Sequence, residues 1–148
     1  MQVIGCTFTK IAAERSLSFK SNSSINTDIE FTEVNKEEMP LLKEAEAVKI
    51  NFKFGISYST TPDKKGEKNG EVVFEGNILL SATKDEVKDL LKSWKKKEIP
   101  APVRVPLLNF ILKKCSAKAL DLEEQLNLPP HIPFPLVKLQ PKEEKSQS

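Results

Sequence analysis

Between Ala47 and Thr60 the sequence alternates almost without a break. Val48, Ile50, Phe52, Phe54, Ile56 and Tyr58 fall on one parity, and Lys49, Asn51, Lys53, Ser57 and Ser59 on the other. A strand sends successive side chains to opposite faces, so this spacing predicts a β-strand with one apolar and one polar face. Such a face must be covered, which obliges the chain to build a sheet backed on one side only.

The partner strand reads from Glu71 to Ala82, where Val72, Phe74, Ile78 and Leu80 repeat with period two. Gly76 replaces a side chain in that series, at a place where close packing is expected. The ten polar residues between the two strands, Thr61 to Gly70, end in Asn69-Gly70 and read as a long hairpin loop. Two more strands precede this pair. Val3 to Phe19 carries Ile4, Cys6 and Phe8 on one parity but Ile11, Ala13, Leu17 and Phe19 on the other. That parity change predicts a β-bulge between Phe8 and Ile11, since one extra residue re-aims a strand at the same core. Ile25 to Val34 reads as a half-exposed strand, and the acidic segment Lys36 to Glu44, which contains Pro40, as a connection.

At Thr83 the apolar period changes from two to that of a helix. Thr83-Lys84-Asp85-Glu86 has the form of a capping box, in which the threonine hydroxyl and the glutamate carboxylate each satisfy a free backbone N–H. The helix it starts has an apolar stripe of Val87, Leu90, Leu91 and Trp94, and Lys95-Lys96-Lys97 sit where positive charge opposes the helix dipole. Ile99 to Val105 contains Pro100 and Pro102 and is expected to be extended. Pro106 then suits the first position of a second, longer helix with a stripe of Leu108, Ile111, Leu112, Cys115, Ala119, Leu122 and Leu126. Leu126 to Leu139 is both apolar and rich in proline, so it is expected to lie extended along a surface. Gln140 to Ser148 reads as a frayed polar end.

Taken together, the pattern predicts an α+β fold with strands first and helices last. A chain of 148 residues suits one domain, placed at 1–140, with a disordered polar tail at 141–148. A composition of 39% hydrophobic and 30% charged residues, with mean hydropathy of −0.37, is that of a globular protein. With no long apolar run and no basic-flanked leader, membrane insertion is not expected and the cytoplasm is the expected location. Net charge is +2, which argues against nucleic-acid binding, but it is unevenly spread. Asp28 to Glu46 holds seven acids against two lysines, whereas Lys84 to Lys118 holds ten bases against four acids.

Reactive groups are sparse. His131 is the only histidine and lies among prolines; Cys6 and Cys115 are far apart and read as small apolar core residues. No zinc set, Ser-His-Asp constellation or glycine-rich phosphate loop appears, so neither a catalytic residue, a metal nor a cofactor is expected. Glu37-Glu38 and Glu123-Glu124 read as exposed solvating pairs. The expectation is a protein that is not an enzyme.

Four strands followed by two helices, with the second helix leading into Leu126-Asn127-Leu128-Pro129-Pro130-His131-Ile132-Pro133-Phe134, resembles the SecB chaperone family along nearly the whole chain. Ile11-Ala12-Ala13-Glu14-Arg15-Ser16 is similar to that family's first strand. The resemblance implies a four-stranded antiparallel, Greek-key-like sheet followed by two helices packed on it, and ATP-independent binding of unfolded or partly folded polypeptides in an extended apolar groove, by a homotetramer built as a dimer of dimers. By family position, the groove candidates are Phe19, Ile25, Ile29 and Phe31, with Leu126, Leu128, Ile132, Phe134 and Leu136. Leu90, Leu91 and Trp94 of the first helix are the candidates for subunit packing. The chain departs from the export type in its +2 charge and its Lys142 to Ser148 ending, which puts SecA coupling in doubt. A chaperone outside that pathway, dedicated to one client such as an antitoxin, agrees better with the residues. The alternative is a regulatory module for one folded partner.

Overall fold

A computed structural model describes residues 1–38, 45–60 and 68–139. Its order is β1 (Gln2–Arg15), β2 (Ser24–Glu37), β3 (Glu46–Ser59), β4 (Lys68–Ala82), α1 (Lys84–Trp94) and α2 (Ala101–Gln125). The strands form one antiparallel sheet in the order β1-β4-β3-β2. Three consecutive strands lie side by side and β1 pairs with the far member, which is a Greek-key arrangement traced from its other end.

The alternating segment is the centre of this sheet. On β3, Val48, Ile50, Phe52, Phe54, Ile56 and Tyr58 are all buried, and opposite them on β4 so are Val72, Phe74, Ile78 and Leu80. The expected bulge is present, between Phe8 and Lys10, and it lies beside Gly76. A Cβ on that glycine would stand 2.4 Å from the Thr7 carbonyl oxygen, so a side chain there collides with the bulged backbone. A second irregularity, between Val3 and Gly5, leaves Ile4 partly exposed.

The β1–β2 connection crosses the ends of β4 and β3. Ser16 N–H donates to the Asn69 carbonyl at 2.8 Å, the Asn69 side-chain amide donates to Ser23 Oγ at 2.7 Å, and the Phe19 ring meets Tyr58 edge-on at 6.1 Å. The expected strand from Val3 to Phe19 therefore ends at Arg15. Leu17, expected on the core parity, is fully solvent-exposed. Asn69 and Gly70, expected in the hairpin loop, belong to β4, and Lys36 and Glu37, expected in a connection, belong to β2. Lys68 likewise belongs to β4; residues 39–44 and 61–67 of those connections lie outside the described residues, as does the expected tail at 141–148.

The capping box forms as read. Glu86 N–H donates to Thr83 Oγ1 at 3.2 Å and Thr83 N–H donates to Glu86 Oε1 at 3.0 Å. The Thr83 backbone N–H, and after it the Thr83 side chain, hold the Glu86 carboxyl below its ordinary range. Lys97 at the other end stands over the Trp94 ring, 5.0 Å from its centroid.

The second helix begins earlier than the prolines suggested. Ile99 to Val105 was expected to be extended, and α2 instead starts at Ala101 with Pro100 as its cap. The N–H groups of a first helical turn have no intrahelical acceptor, so Pro102 forfeits nothing there. Pro106, expected at the first position, lies inside the helix and gives up one backbone bond. The buried stripe is Leu107, Ile111, Cys115, Ala119 and Glu123, at steps of four. Leu112, expected in the stripe, is exposed. Helix α1 packs over β2 and β3 and α2 over β4, all on the apolar face.

Candidate functional site

The helical layer does not cover the sheet evenly. Among the described residues of β2, Val34 is 4% exposed and belongs to the core, Phe31 and Ile29 are half-buried, and Ile25 is 38% exposed. These side chains lie opposite Ile50, Phe52, Phe54 and Tyr58 of β3, so they continue the buried apolar face outward to the sheet edge. Phe19, half-buried on the crossover, joins the row through its contact with Tyr58.

The segment after α2 meets two of these aromatic residues of β3, Tyr58 and Phe54. Leu126 caps the helix and is half-buried, and Asn127 turns the chain with φ of 56°. Leu128 is buried against the core, with its Cδ2 at 3.0 Å from where a Cβ on Gly70 would lie. The Pro129 carbonyl accepts from the Tyr58 hydroxyl at 2.7 Å, and the His131 ring meets Phe54 edge-on at 6.2 Å. Past His131 the strap leaves the core, and Ile132, Phe134 and Leu136 are exposed. Phe134 shares a cavity of about 550 Å³ with Leu120, Leu128, Pro130 and the carboxylates of α2's last turns.

A buried polar chain fastens the root of the strap. Glu123 is 1% exposed, and the single proton of the Tyr58 hydroxyl is shared between its Oε2 and the Pro129 carbonyl. His131 Nδ1 lies 2.8 Å from Glu123 Oε1 and its Nε2 3.3 Å from the Ser116 hydroxyl, so both ring nitrogens are held. Burial, and then the Glu123 carboxyl, push the Tyr58 phenol far above its ordinary range, so Tyr58 stays a donor. Among the described residues no buried side-chain polar atom is left without a partner. Because unpaired polar groups are costly in a core, this chain ties β3, α2 and the strap into one unit.

The order Ser116, His131, Glu123 is that of a hydrolytic relay, but its geometry serves another purpose. The His131 and Glu123 side chains are 2% and 1% exposed, and the cavity that Glu123 lines with Leu128 and Phe134 includes neither Ser116 nor His131. A nucleophile needs a place beside it for the reacting carbon. The thiols are equally poorly placed: burial pushes Cys115 up to about 12, with Cys6 adding to the effect, and burial raises Cys6 against the opposing charge of Lys114. Among the described residues no group of three or more His, Cys, Asp or Glu could hold a metal ion, and no helix is long and apolar enough to cross a membrane.

No protein-family model matches the chain, and no curated protein matches it in sequence. A solved structure does resemble it. The SecB-like chaperone Rv1957 of Mycobacterium tuberculosis, determined in complex with a ChAD peptide from the Rv1956 HigA1 antitoxin, aligns over 94% of this chain and 92% of its own at 19% sequence identity and a TM-score of 0.48. The case for the site therefore rests on the chain's own geometry.

That geometry brings most of the expected residues together in two rows. Phe19, Ile25, Ile29 and Phe31 form the sheet row; Leu126, Ile132, Phe134 and Leu136 follow the strap. Leu128 is an anchor in the core rather than part of the accessible surface. Leu90 likewise belongs to this chain's own core, at 1% exposure, whereas Leu91 and Trp94 are half-buried at its margin. Sequence reasoning missed the polar chain and placed Glu123 on an exposed face. The signal was present in the phase of α2: Glu123 continues the four-residue steps of Leu107, Ile111, Cys115 and Ala119.

Proposed function

We propose that this chain is a non-catalytic, ATP-independent binder of unfolded or partly folded polypeptides, as the SecB resemblance of its sequence implies. The observation that carries the reading is the row of Ile25, Ile29 and Phe31, which continues the core face of the sheet to its β2 edge and remains partly open to solvent. An extended, non-native chain fits such a row. It offers side chains for burial at about 25 cal/mol per Å² with little demand on sequence, and it can bond to the outer edge of β2 through its own backbone.

The strap supplies a second apolar wall. Its root is held by Tyr58, Glu123 and His131, and its outer side chains remain available. Leu91 and Trp94, at the margin of α1, are the surface on which subunits would meet, with the homotetramer as the expected assembly and the cytoplasm as its place.

The test is suppression of aggregation. Near-stoichiometric protein should delay the aggregation of several unrelated unfolded clients without nucleotide. Failure with all of them would sink the general-chaperone reading; activity toward a single protein would leave a dedicated binder.

A further inference from the structure

The outer strap, Ile132 to Leu139, leaves more apolar surface in water than any other described segment: Leu136 is 78% exposed and Val137 and Leu139 are fully so. It forms neither helix nor sheet ladder. Ile132 and Phe134 each precede a proline, which biases both to extended backbone.

The spacing of its prolines gives the strap two unlike edges. In an extended chain, alternate residues direct their N–H and C=O groups to opposite sides. Pro133 and Pro135 share one parity and lack the N–H, so that edge cannot sustain a ladder. Ile132, Phe134, Leu136 and Lys138 share the other parity and keep every donor, and the first three direct apolar side chains to one face. The strap is a strand that can pair on one side only.

An acceptor for such a strand exists in the fold. The sheet order leaves β2 an outer strand, paired among the described residues of this chain with β3 alone. Two copies of β2 would oppose like charges if paired together, because Asp28, Glu30, Glu33 and Glu37 outnumber Lys36. The strap contains no acid and carries Lys138, so it meets that acidic edge without repulsion. Its apolar face would extend the row of Ile25, Ile29 and Phe31. Within one copy the strap's root is fastened above Tyr58 and Phe54, on the helical side of the sheet, and the strap does not pair with β2.

We infer that Ile132 to Leu139 of one copy adds as a strand to the outer edge of β2 in a second copy, in a reciprocal, two-fold exchange. The inference stands apart from client binding, although a client and the donated strap would compete for the same edge.

Sedimentation velocity of the full chain over a range of concentrations tests it. Leu136→Pro removes a donor from the pairing edge, Leu136→Ala removes side chain while keeping that donor, and Val137→Pro alters only the edge already blank. Leu136→Pro is expected to weaken self-association about tenfold or more, and Val137→Pro by less than about threefold. Leu136→Ala should fall between them, and far-UV circular dichroism should show all three folded. A wild type that stays monomeric, or equal effects of the two proline variants, would overturn the proposal.

Discussion

Strands β2 and β3 are neighbours of equal length, 14 residues each, and they have opposite fates. On β3 the apolar parity is buried from end to end, and its last member, Tyr58, turns a hydroxyl into the polar chain at the strap's root. On β2 the same face of the same sheet grades from buried Val34 to open Ile25. Propensity does not explain the difference, since both strands carry β-branched and aromatic residues on that face. Cover does: the apolar face is closed over along the whole of β3, whereas on β2 it is closed at Val34 and open at Ile25. One apolar face is thus divided into a part that holds the fold and a part left for something else.

Substitutions at paired positions can break this division. Phe54 and Ile29 face each other across the β3–β2 ladder. Phe54→Ala should cost about 3–5 kcal/mol in chemical denaturation, as for a fully buried aromatic side chain, and Ile29→Ala about half of that or less. Equal costs would mean that β2 is as much core as β3 and would remove the proposed surface.

A smaller effect sharpens the comparison at the strap. Tyr58→Phe leaves Glu123 buried with one donor fewer, at a cost of about 1–3 kcal/mol. If the polar chain holds the strap, the variant should also be cleaved faster than the wild type between Pro130 and Leu139 under limited proteolysis. Unchanged cleavage with lowered stability would confine Tyr58 to the core.

Smallest of all is the expected effect of Ile25→Ser on stability, within about 0.5 kcal/mol because the side chain is already partly in water. Client capture by this variant should nonetheless weaken. A variant that loses stability and keeps binding would invert the assignment.

The strand half of the fold was legible because alternation is a local signal and β3 displays it over its whole length. The bulge between Phe8 and Lys10 and the capping box at Thr83 were legible for the same reason: each is written in neighbouring residues. The start of α2 was not, because Pro102 argues against a helix everywhere except in a first turn, and only the fold places it there. The site was half legible. The sequence nominated Ile25, Ile29 and Phe31 together with the strap residues, but Leu128 and Leu90 proved to be anchors of the core. The link of Tyr58, Glu123, His131 and Ser116 joins residues up to 73 positions apart, from Tyr58 to His131, and no short-range pattern announces it.

The central claim, that the open row of β2 receives non-native polypeptide, is tested most directly by photo-crosslinking. A photoreactive residue is placed singly at Ile25, on the apolar row, or at Asn26, its neighbour on the opposite face, and an unfolded client is added. The account predicts strong client adducts from position 25 and weak ones from position 26, with the position-25 adducts competed away by excess unlabelled client. Equal labelling from the two faces, or none from position 25, would contradict it.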